Sequence, residues 1–244
     1  LHVRSRRQRQ MCIRDSLSVT GILMHAIYLG GVWAAVKMGM GAGLTALLVG
    51  LQPVLTAIWL SRRGGSVTGA QWVGLVLGLL GLLLVVWAKL GFGEVGPASL
   101  GCALTALLAI TVGTLYQKRF VAPCDVRTAS FIQLLAAFVV TTPLALLEME
   151  PMRWVDAAGG LNSELAGAMA WSVLGLTLGG GSLLYLLIQR GAATSVTSLF
   201  YLVPPTTAVI AWVLFGEPVT GLTVAGMVVT AIGVGIVVRK QNRF

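Results

Sequence analysis

Residues 64–81 read GGSVTGAQWVGLVLGLLG, and residues 216–233 read GEPVTGLTVAGMVVTAIG. At an offset of 152 residues, identical residues meet at Gly64, Val67, Thr68, Gly69, Gly74, Val76 and Gly81. The same ungapped frame over residues 37–86 gives 14 identities in 50 positions, among them Pro53 with Pro205. Shared apolar composition alone would not align a VTG turn and a proline in one frame. The chain is therefore predicted to contain an internal repeat.

The composition of the chain indicates a membrane protein. Hydrophobic residues make up 57% of the 244 residues and charged residues only 10%, whereas soluble domains carry about 25% charged residues. A soluble domain of this length leaves too much surface outside its core to hide so many apolar side chains. The formal charge of +9 would otherwise suggest a nucleic acid. Here the expected partner is the lipid bilayer, and no nucleic-acid partner is expected.

The apolar runs of the chain predict eight membrane-spanning helices. A spanning helix needs about 20 mostly apolar residues. Runs of this length, taken between charged residues or glycine and proline breaks, cover residues 17–36, 43–61, 70–89, 98–117, 128–147, 166–188, 195–215 and 220–238. The predicted fold class is therefore all-α, a polytopic membrane helix bundle.

The first sixteen residues are interpreted separately from the rest. Residues 4–16, RSRRQRQMCIRDS, resemble translated sequencing-adapter read-through. Residues 1–16 are therefore interpreted as a non-native segment, which we expect to make no packed contact. The alternative interpretation is a basic cytoplasmic tail.

The basic residues predict the orientation of the helices, because cytoplasmic loops carry an excess of Lys and Arg. With the C-terminus inside the cell, the inside segments hold Arg62, Arg63, Lys118, Arg119, Arg127, Arg190, Arg239, Lys240 and Arg243. The outside segments then hold only Lys37, Lys89 and Arg153. The opposite assignment would reverse this bias, so the C-terminus is predicted to be cytoplasmic.

The repeat is predicted to be inverted. Residues 43–61 form the second predicted span, and residues 195–215, which align with them, form the seventh. Helices separated by an odd number of crossings run in opposite directions. Inverted repeats are a recurring construction of secondary transporters. A five-helix repeat implies ten helices, so two further helices are expected ahead of residue 17.

Three segments of the chain carry a family resemblance: GLTALLVGLQPVLTAIWL (43–60), TGAQWVGLVLGLLGLLLV (68–85) and SVTSLFYLVPPTTAVIAWVLFGEPVTGLTVAGMVVTAIGVGIVV (195–238). With these segments and this architecture, the chain resembles the EamA type of the drug/metabolite transporter superfamily. The family pattern is a mid-span E-P or Q-P pair, a GE turn and then a glycine-spaced helix. Gln52-Pro53 and Gly216-Glu217 match that pattern.

The resemblance covers residues 17–241 and implies a domain organisation. Residues 17–91 would be the last three helices of the first EamA repeat, and residues 97–241 the five helices of the second. The chain departs from the pattern at Gly64-Gly65, where a GE turn is common, and at Pro204, where an acidic residue is frequent. Because of the second departure, proton coupling is not implied.

The prolines at the middle of two spans are the first candidate site residues. Proline removes a helical hydrogen bond, and lipid cannot satisfy the carbonyl group that is freed. Matched helix breaks in two inverted halves point to a substrate site near the middle of the bilayer. Gln52 and Pro53 are therefore predicted to contact the solute, together with Tyr201 and Pro204. The alternative is that the prolines only bend the bundle.

Further polar side chains within the predicted spans complete the candidate site. His25 is the only ionisable side chain well inside a span, and such residues are functional candidates. Tyr28 would share its helix face. Thr111 and Thr114 on one span and Tyr185 on another are weaker candidates. The alternatives are a neutral histidine bonded to backbone, and threonines bonded to their own helix. The spaced glycines Gly74, Gly78, Gly81, Gly226 and Gly233 are predicted to serve helix packing.

These features predict a transporter. The resemblance implies export of amino acids, metabolites or drug-like compounds across the bacterial inner membrane, by alternating access. The carboxylates form no catalytic pair and the three cysteines no spaced framework, so neither an enzyme, a metal nor a cofactor is expected. A homodimer is left open. The alternatives are a non-transporting membrane subunit and a membrane-embedded enzyme that acts on lipid-linked substrates.

Overall fold

The computed structural model describes residues 6–64, 67–87, 95–147, 155, 160, 162–190, 193–215 and 219–239. These residues are almost entirely helical, and no extended strand occurs among them. The α-helices are α1 (Arg6–Gly21), α2 (Tyr28–Lys37), α3 (Ala42–Val49), α4 (Gln52–Arg62), α5 (Gly69–Val86), α6 (Pro97–Phe120), α7 (Val126–Leu146), α8 (Ser163–Ala170), α9 (Gly181–Arg190), α10 (Ala193–Ser198), α11 (Val203–Phe215) and α12 (Gly221–Arg239). The all-α prediction is confirmed.

Some of these helices join into longer segments. π-Helical turns at Ile22–Ile27 and Trp171–Gly180 join α1 to α2 and α8 to α9, and a 3-10 turn at Leu199–Leu202 joins α10 to α11. In the described part of the chain, the segments that are long and apolar enough to cross a membrane number seven: Ile13–Lys37, Ala42–Arg62, Gly69–Val86, Pro97–Phe120, Val126–Leu146, Leu165–Arg190 and Gly221–Val238. The polytopic membrane fold is confirmed.

The seventh predicted span, residues 195–215, is not among these segments, because it is broken into α10, the 3-10 turn and α11. Pro204 is the second residue of α11, and a proline that lacks an N–H group fits the first turn of a helix. The same arrangement occurs earlier in the chain, where Pro53 is the second residue of α4. There α3 ends at Val49, and the chain turns before α4 begins. Both spans are thus interrupted just before their prolines.

The residues fall into two compact units. Unit 1 comprises Leu1–Ala26 and Tyr116–Arg190, and unit 2 comprises Ile27–Leu115 and Gly191–Phe244. The core of unit 2 lies where α5 and α12 pack together. It is formed by Ala57, Leu75, Leu82, Val86, Tyr201, Val234 and Val237.

Glycines allow α5 and α12 to approach closely and in opposite directions. A Cβ atom added to Gly74 would lie 2.7 Å from the carbonyl oxygen of Gly233. One added to Gly226 would lie 2.8 Å from the carbonyl oxygen of Gly81. The earlier residue of α5 therefore meets the later residue of α12, so the two helices are antiparallel. Small residues at such a contact are the usual means by which membrane helices pack, and the predicted packing role of these glycines is confirmed.

The VTG turn starts a helix in both copies of the repeat. The Thr68 hydroxyl accepts a hydrogen bond from the Gln71 backbone N–H at 3.3 Å, while the Gln71 side chain accepts one from the Thr68 N–H at 2.9 Å. In the second copy, the Thr220 hydroxyl accepts a bond from the Thr223 N–H at 3.2 Å. Threonine in this position satisfies an N–H group that the first helical turn leaves unpaired.

Unit 1 is built around α1, α7 and α9. Its core contains Leu17, Val121, Ala129 and Tyr185, and Ile13 packs against it. Helix α1 begins at Arg6, so the segment that we expected to make no packed contact is helical from residue 6 and contributes Ile13 to the core. A leucine or isoleucine that faces a neighbouring helix packs there irrespective of the polar residues beside it.

Large apolar side chains remain exposed along the helices of both units. Phe131 is 67% exposed, Leu146 81% and Val213 66%. A water-soluble protein rarely leaves such side chains uncovered over a large area. Hydrocarbon is the solvent in which they are stable, and this agrees with the membrane fold.

Candidate functional site

Gln52 is a predicted site residue that lies in unit 2. It is the first residue of α4, directly after the break before Pro53, and its side chain is fully buried. The Nε2 atom donates a hydrogen bond to the Thr114 hydroxyl on α6 at 3.2 Å. Within the described residues, no other hydrogen bond joins two of the predicted site residues. The structure therefore brings Gln52 and Thr114 together, although they lie 62 positions apart.

Thr114 fixes which end of the Gln52 amide is available. Its hydroxyl donates to the Ile110 carbonyl oxygen at 2.8 Å. Because the single hydroxyl proton is used in that bond, the oxygen can only accept from Gln52. The amide nitrogen is thereby held against α6, and the carbonyl end of the amide points elsewhere.

The carbonyl end of Gln52 is unpaired. In the part of the chain that the structure covers, Gln52 Oε1 is buried and has no hydrogen-bond partner, and the same is true of the Thr56 hydroxyl oxygen. Residues four apart share a helix face, so Thr56 lies one turn beyond Gln52 on the same side of α4. A buried polar atom without a partner costs about 1–3 kcal/mol. This face of α4 therefore carries two buried oxygen atoms without a hydrogen-bond partner in the described part of the chain.

Tyr201 is a further predicted residue with an unpaired polar group. It is fully buried, and its ring lies against Gly78 of α5, where a side chain larger than hydrogen would overlap it. Its hydroxyl group has no hydrogen-bond partner among the described residues. The ring is therefore a core residue of unit 2.

The other predicted residues of unit 2 show less. Thr111 is buried and donates to the Leu107 carbonyl oxygen at 2.7 Å, as a threonine bonded to its own helix does. Tyr28 is half-buried at the start of α2, and Pro53 is buried. The side chain of Pro204 lies outside the described residues.

Two predicted residues, His25 and Tyr185, lie in unit 1. His25 lies within the π-helical turn Ile22–Ile27, and its side chain hydrogen-bonds that of Gln133. Tyr185 is buried in the core of unit 1, and its hydroxyl lies 3.1 Å from the Cys124 sulfur atom. That contact favours a structural role for Tyr185.

The buried polar residues that were not identified from the sequence include Thr56, Gln117 and Gln133. Gln133 lies within the predicted span 128–147, and Gln117 is the last residue of span 98–117. An amide inside an apolar span is a signal in its own right, since it needs a partner that lipid cannot provide. Of the buried glutamines, only Gln52, which lies beside a proline, was predicted from the sequence to belong to the site.

The chain is similar to proteins that are named as a transporter and as an efflux pump. It is 23% identical over 219 residues to the "Uncharacterized inner membrane transporter YedA" of Escherichia coli K12, across 89% of this chain and 67% of that protein. It is 24% identical over 216 residues to a "Probable amino-acid metabolite efflux pump" of Salmonella typhimurium LT2, across 84% of this chain and 70% of that protein.

The fold is also similar to that of solved structures. A chain named only "Crystal structure of protein" superimposes with a TM-score of 0.72 at 19% identity, over 93% of this chain and 76% of that chain. Residues 98–239 match the EamA-like transporter family. This match covers more than half of the 244 residues and confirms the resemblance seen in the sequence, so the chain belongs to the EamA-like transporter family.

Proposed function

We propose that this membrane transporter exports a small organic solute of the amino-acid metabolite class across the bacterial inner membrane, and that Gln52 binds a hydrogen-bond donor of that solute. The observation that carries the proposal is the fixed polarity of the Gln52 amide. Its nitrogen is held by Thr114, and its buried oxygen has no partner in the described part of the chain. A solute N–H or O–H group would supply what Gln52 Oε1 lacks.

The class of solute is supported by the relatives. One relative is named as an inner membrane transporter and another as an amino-acid metabolite efflux pump. An amino group is a strong hydrogen-bond donor, and it suits an amide oxygen with two free lone pairs. The hydroxyls of Thr56 and Tyr201 would add donor and acceptor capacity to unit 2.

The mechanism is supported by the antiparallel packing of the two repeat-related helices. In a transporter built from two inverted copies of one repeat, the two copies can exchange conformations. The exchange gives one inward-facing and one outward-facing state around a fixed site. We infer alternating access from this arrangement. The helix breaks before Pro53 and Pro204 would be the positions where the spans bend.

The proposal is tested by efflux from cells that express the full chain. The cells are loaded with a panel of ¹⁴C-labelled amino acids, and the rate of loss of each is compared with that of vector-only cells. Gln52→Leu should slow efflux of the transported solute about fivefold, which corresponds to the loss of about 1 kcal/mol from one neutral hydrogen bond. The amount of chain in the membrane should not change.

Two threonines of α6 provide a matched pair of variants. Thr114→Val removes the acceptor that orients Gln52, and it should slow efflux like Gln52→Leu. Thr111→Val also removes a buried hydroxyl bonded only to its own helix, and it should have little effect. Efflux that is no faster than in vector-only cells for every solute, or that is unchanged in Gln52→Leu, would overturn the proposal.

A further inference from the structure

A second buried polar cluster lies in unit 1, apart from the Gln52 site. Gln133 of α7 is 5% exposed. Its Nε2 atom lies 3.3 Å from the Thr20 hydroxyl and 3.3 Å from Gln117 Oε1. The side chain of His25 also hydrogen-bonds Gln133. Four polar side chains from three helices thus meet, with Gln133 at the centre. We call Thr20, His25, Gln117 and Gln133 the unit 1 amide cluster.

The backbone of α1 and its π-helical turn bring this cluster together. A Cβ atom at Gly21 would lie 2.6 Å from the Gln133 Cα atom, so α1 and α7 are in close contact beside Thr20. In an α-helix, residues five apart such as Thr20 and His25 point about 140° away from each other. The π-helical turn at Ile22–Ile27 has more residues per turn, and it therefore brings His25 toward the face of Thr20.

The hydrogen bonds of the cluster have one consistent direction. Both Nε2 hydrogens of Gln133 are used, by Thr20 and by Gln117, so its oxygen accepts from the His25 ring. The Thr20 hydroxyl donates to the Ser16 carbonyl oxygen at 2.8 Å, so it can only accept from Gln133. Gln117 likewise presents its oxygen to Gln133, and its amide nitrogen must point the other way.

Gln117 Nε2 is therefore the open end of the cluster. The nitrogen is buried, since Gln117 is only 1% exposed. It has no hydrogen-bond partner among the residues that the structure describes. With Gln133 oriented in this way, an inverted Gln117 amide would place two donors face to face, so the orientation of Gln133 sets that of Gln117. The open end consists of two N–H donors that need an acceptor.

We propose that Gln117 Nε2 binds an oxygen acceptor of a small molecule, either a carboxylate or an amide carbonyl. This binding site is separate from that of Gln52. Only the choice of amino-acid-like probes rests on the proposed function. Gln133 and His25 are positioning residues in this proposal, because they hold the Gln117 amide with its nitrogen outward. The polarity is opposite to that of Gln52, whose open end is an acceptor.

The test uses three probes that share one side chain: leucine, leucinamide and isopentylamine. The first carries a carboxylate and the second an amide carbonyl, whereas the third has neither acceptor. Binding to the purified full chain in detergent is measured as the probe concentration that protects it from thermal unfolding. Leucine, leucinamide or both should bind about tenfold more tightly than isopentylamine, since bonds to an acceptor add that much. The better of the two identifies the acceptor chemistry.

Three variants separate binding from structure. Gln117→Leu should bring the three probes to equal affinity. Gln133→Glu offers Gln117 an acceptor in place of a donor, so the Gln117 amide should turn its oxygen outward. The preference for leucine or leucinamide should then be lost, because all three probes carry an amino group that can donate to that oxygen. The matched control is Gln189→Leu, an amide of unit 1 whose nitrogen already donates to the Val121 carbonyl oxygen. It should keep the preference of the unchanged chain.

The inference is overturned if the unchanged chain binds all three probes equally, which is the result expected of a site filled by water. It is also overturned if Gln117→Leu, eluting as a folded protein on gel filtration, retains the preference for an acceptor. Binding without efflux would overturn the proposed function and leave this inference standing, so the two failures are distinguishable.

Discussion

Gly74 and Gly233 face each other across the contact between α5 and α12, and neither has room for a methyl group. A Cβ atom on Gly74 would lie 2.7 Å from the Gly233 carbonyl oxygen, and one on Gly233 would lie 2.7 Å from the Gly74 carbonyl oxygen. In the aligned repeat Gly74 corresponds to Gly226, and Gly233 to Gly81, which also contact each other. The contact therefore has approximate two-fold symmetry, as two antiparallel copies of one sequence produce.

This contact predicts a stability change that depends on position. Gly233→Ala should destabilise unit 2 by about 1–3 kcal/mol, because a methyl group would have to force two backbones apart. The measurement is thermal unfolding of the purified chain in detergent, where the midpoint should fall.

The control variant for this prediction is Gly235→Ala, on the same helix. No atom lies within 4 Å of a Cβ added there, and alanine favours a helix over glycine by about 1 kcal/mol. The midpoint should therefore stay the same or rise. Equal midpoints for the two variants would contradict the close approach of α5 and α12.

Pro53→Ala should impair efflux without preventing membrane insertion. Alanine supplies the N–H group that proline lacks, so α3 and α4 can continue as one helix through the break. Gln52 would then rotate away from Thr114, and efflux should fall about fivefold, as for the loss of the Gln52 bond itself. The measurement is the cellular efflux of the transported amino acid.

Pro143→Ala is the matched control for the proline prediction. Pro143 lies inside α7 near its end, and it is exposed. Its replacement should leave efflux unchanged. If both proline variants behave alike, the break before Pro53 has no special part in transport.

The sequence predicts the regular parts of this structure well. The VTG turns and spaced glycines form a local pattern, and each has a local physical meaning, as a helix cap at Thr68 or a close contact at Gly74. The pairing of Gln52 with Thr114 has no local signal, since only the packing of α4 on α6 brings residues 62 positions apart together. The π-helical turn around His25 is likewise set by packing, so the unit 1 amide cluster could not be assembled from the sequence.

The orientation of the chain remains a prediction, and labelling in intact cells tests it. Single cysteines are placed at Arg63 and Ser163, both exposed, in a chain whose native Cys12, Cys102 and Cys124 are replaced. The excess of basic residues in the inside segments predicts that an impermeant thiol reagent reaches only the cysteine at position 163.

Permeabilised cells provide the control for labelling, since both cysteines should then react. Reaction at position 63 alone in intact cells would show that the C-terminus lies outside the cytoplasm. Equal reaction at both positions in intact cells would show that the chain does not insert in a single orientation.

Two buried tyrosines should respond differently to the loss of their hydroxyl groups. Tyr185 has a partner, because its hydroxyl lies 3.1 Å from the Cys124 sulfur atom. Tyr185→Phe should therefore lose up to about 1 kcal/mol of stability, with efflux unchanged. The Tyr201 hydroxyl is buried without a partner among the described residues. Tyr201→Phe removes a buried polar group that has no partner within the described protein, so its unfolding midpoint should stay the same or rise.

Efflux decides whether the Tyr201 hydroxyl serves the solute. If it binds the solute, Tyr201→Phe should slow efflux several-fold while the protein becomes no less stable, because the lost bond of about 1 kcal/mol exists only in the loaded state. Tyr185→Phe should show the reverse pattern, with a lower midpoint and normal efflux. Should Tyr201→Phe transport normally, Tyr201 would be a core residue alone, with its ring against Gly78 as its whole contribution.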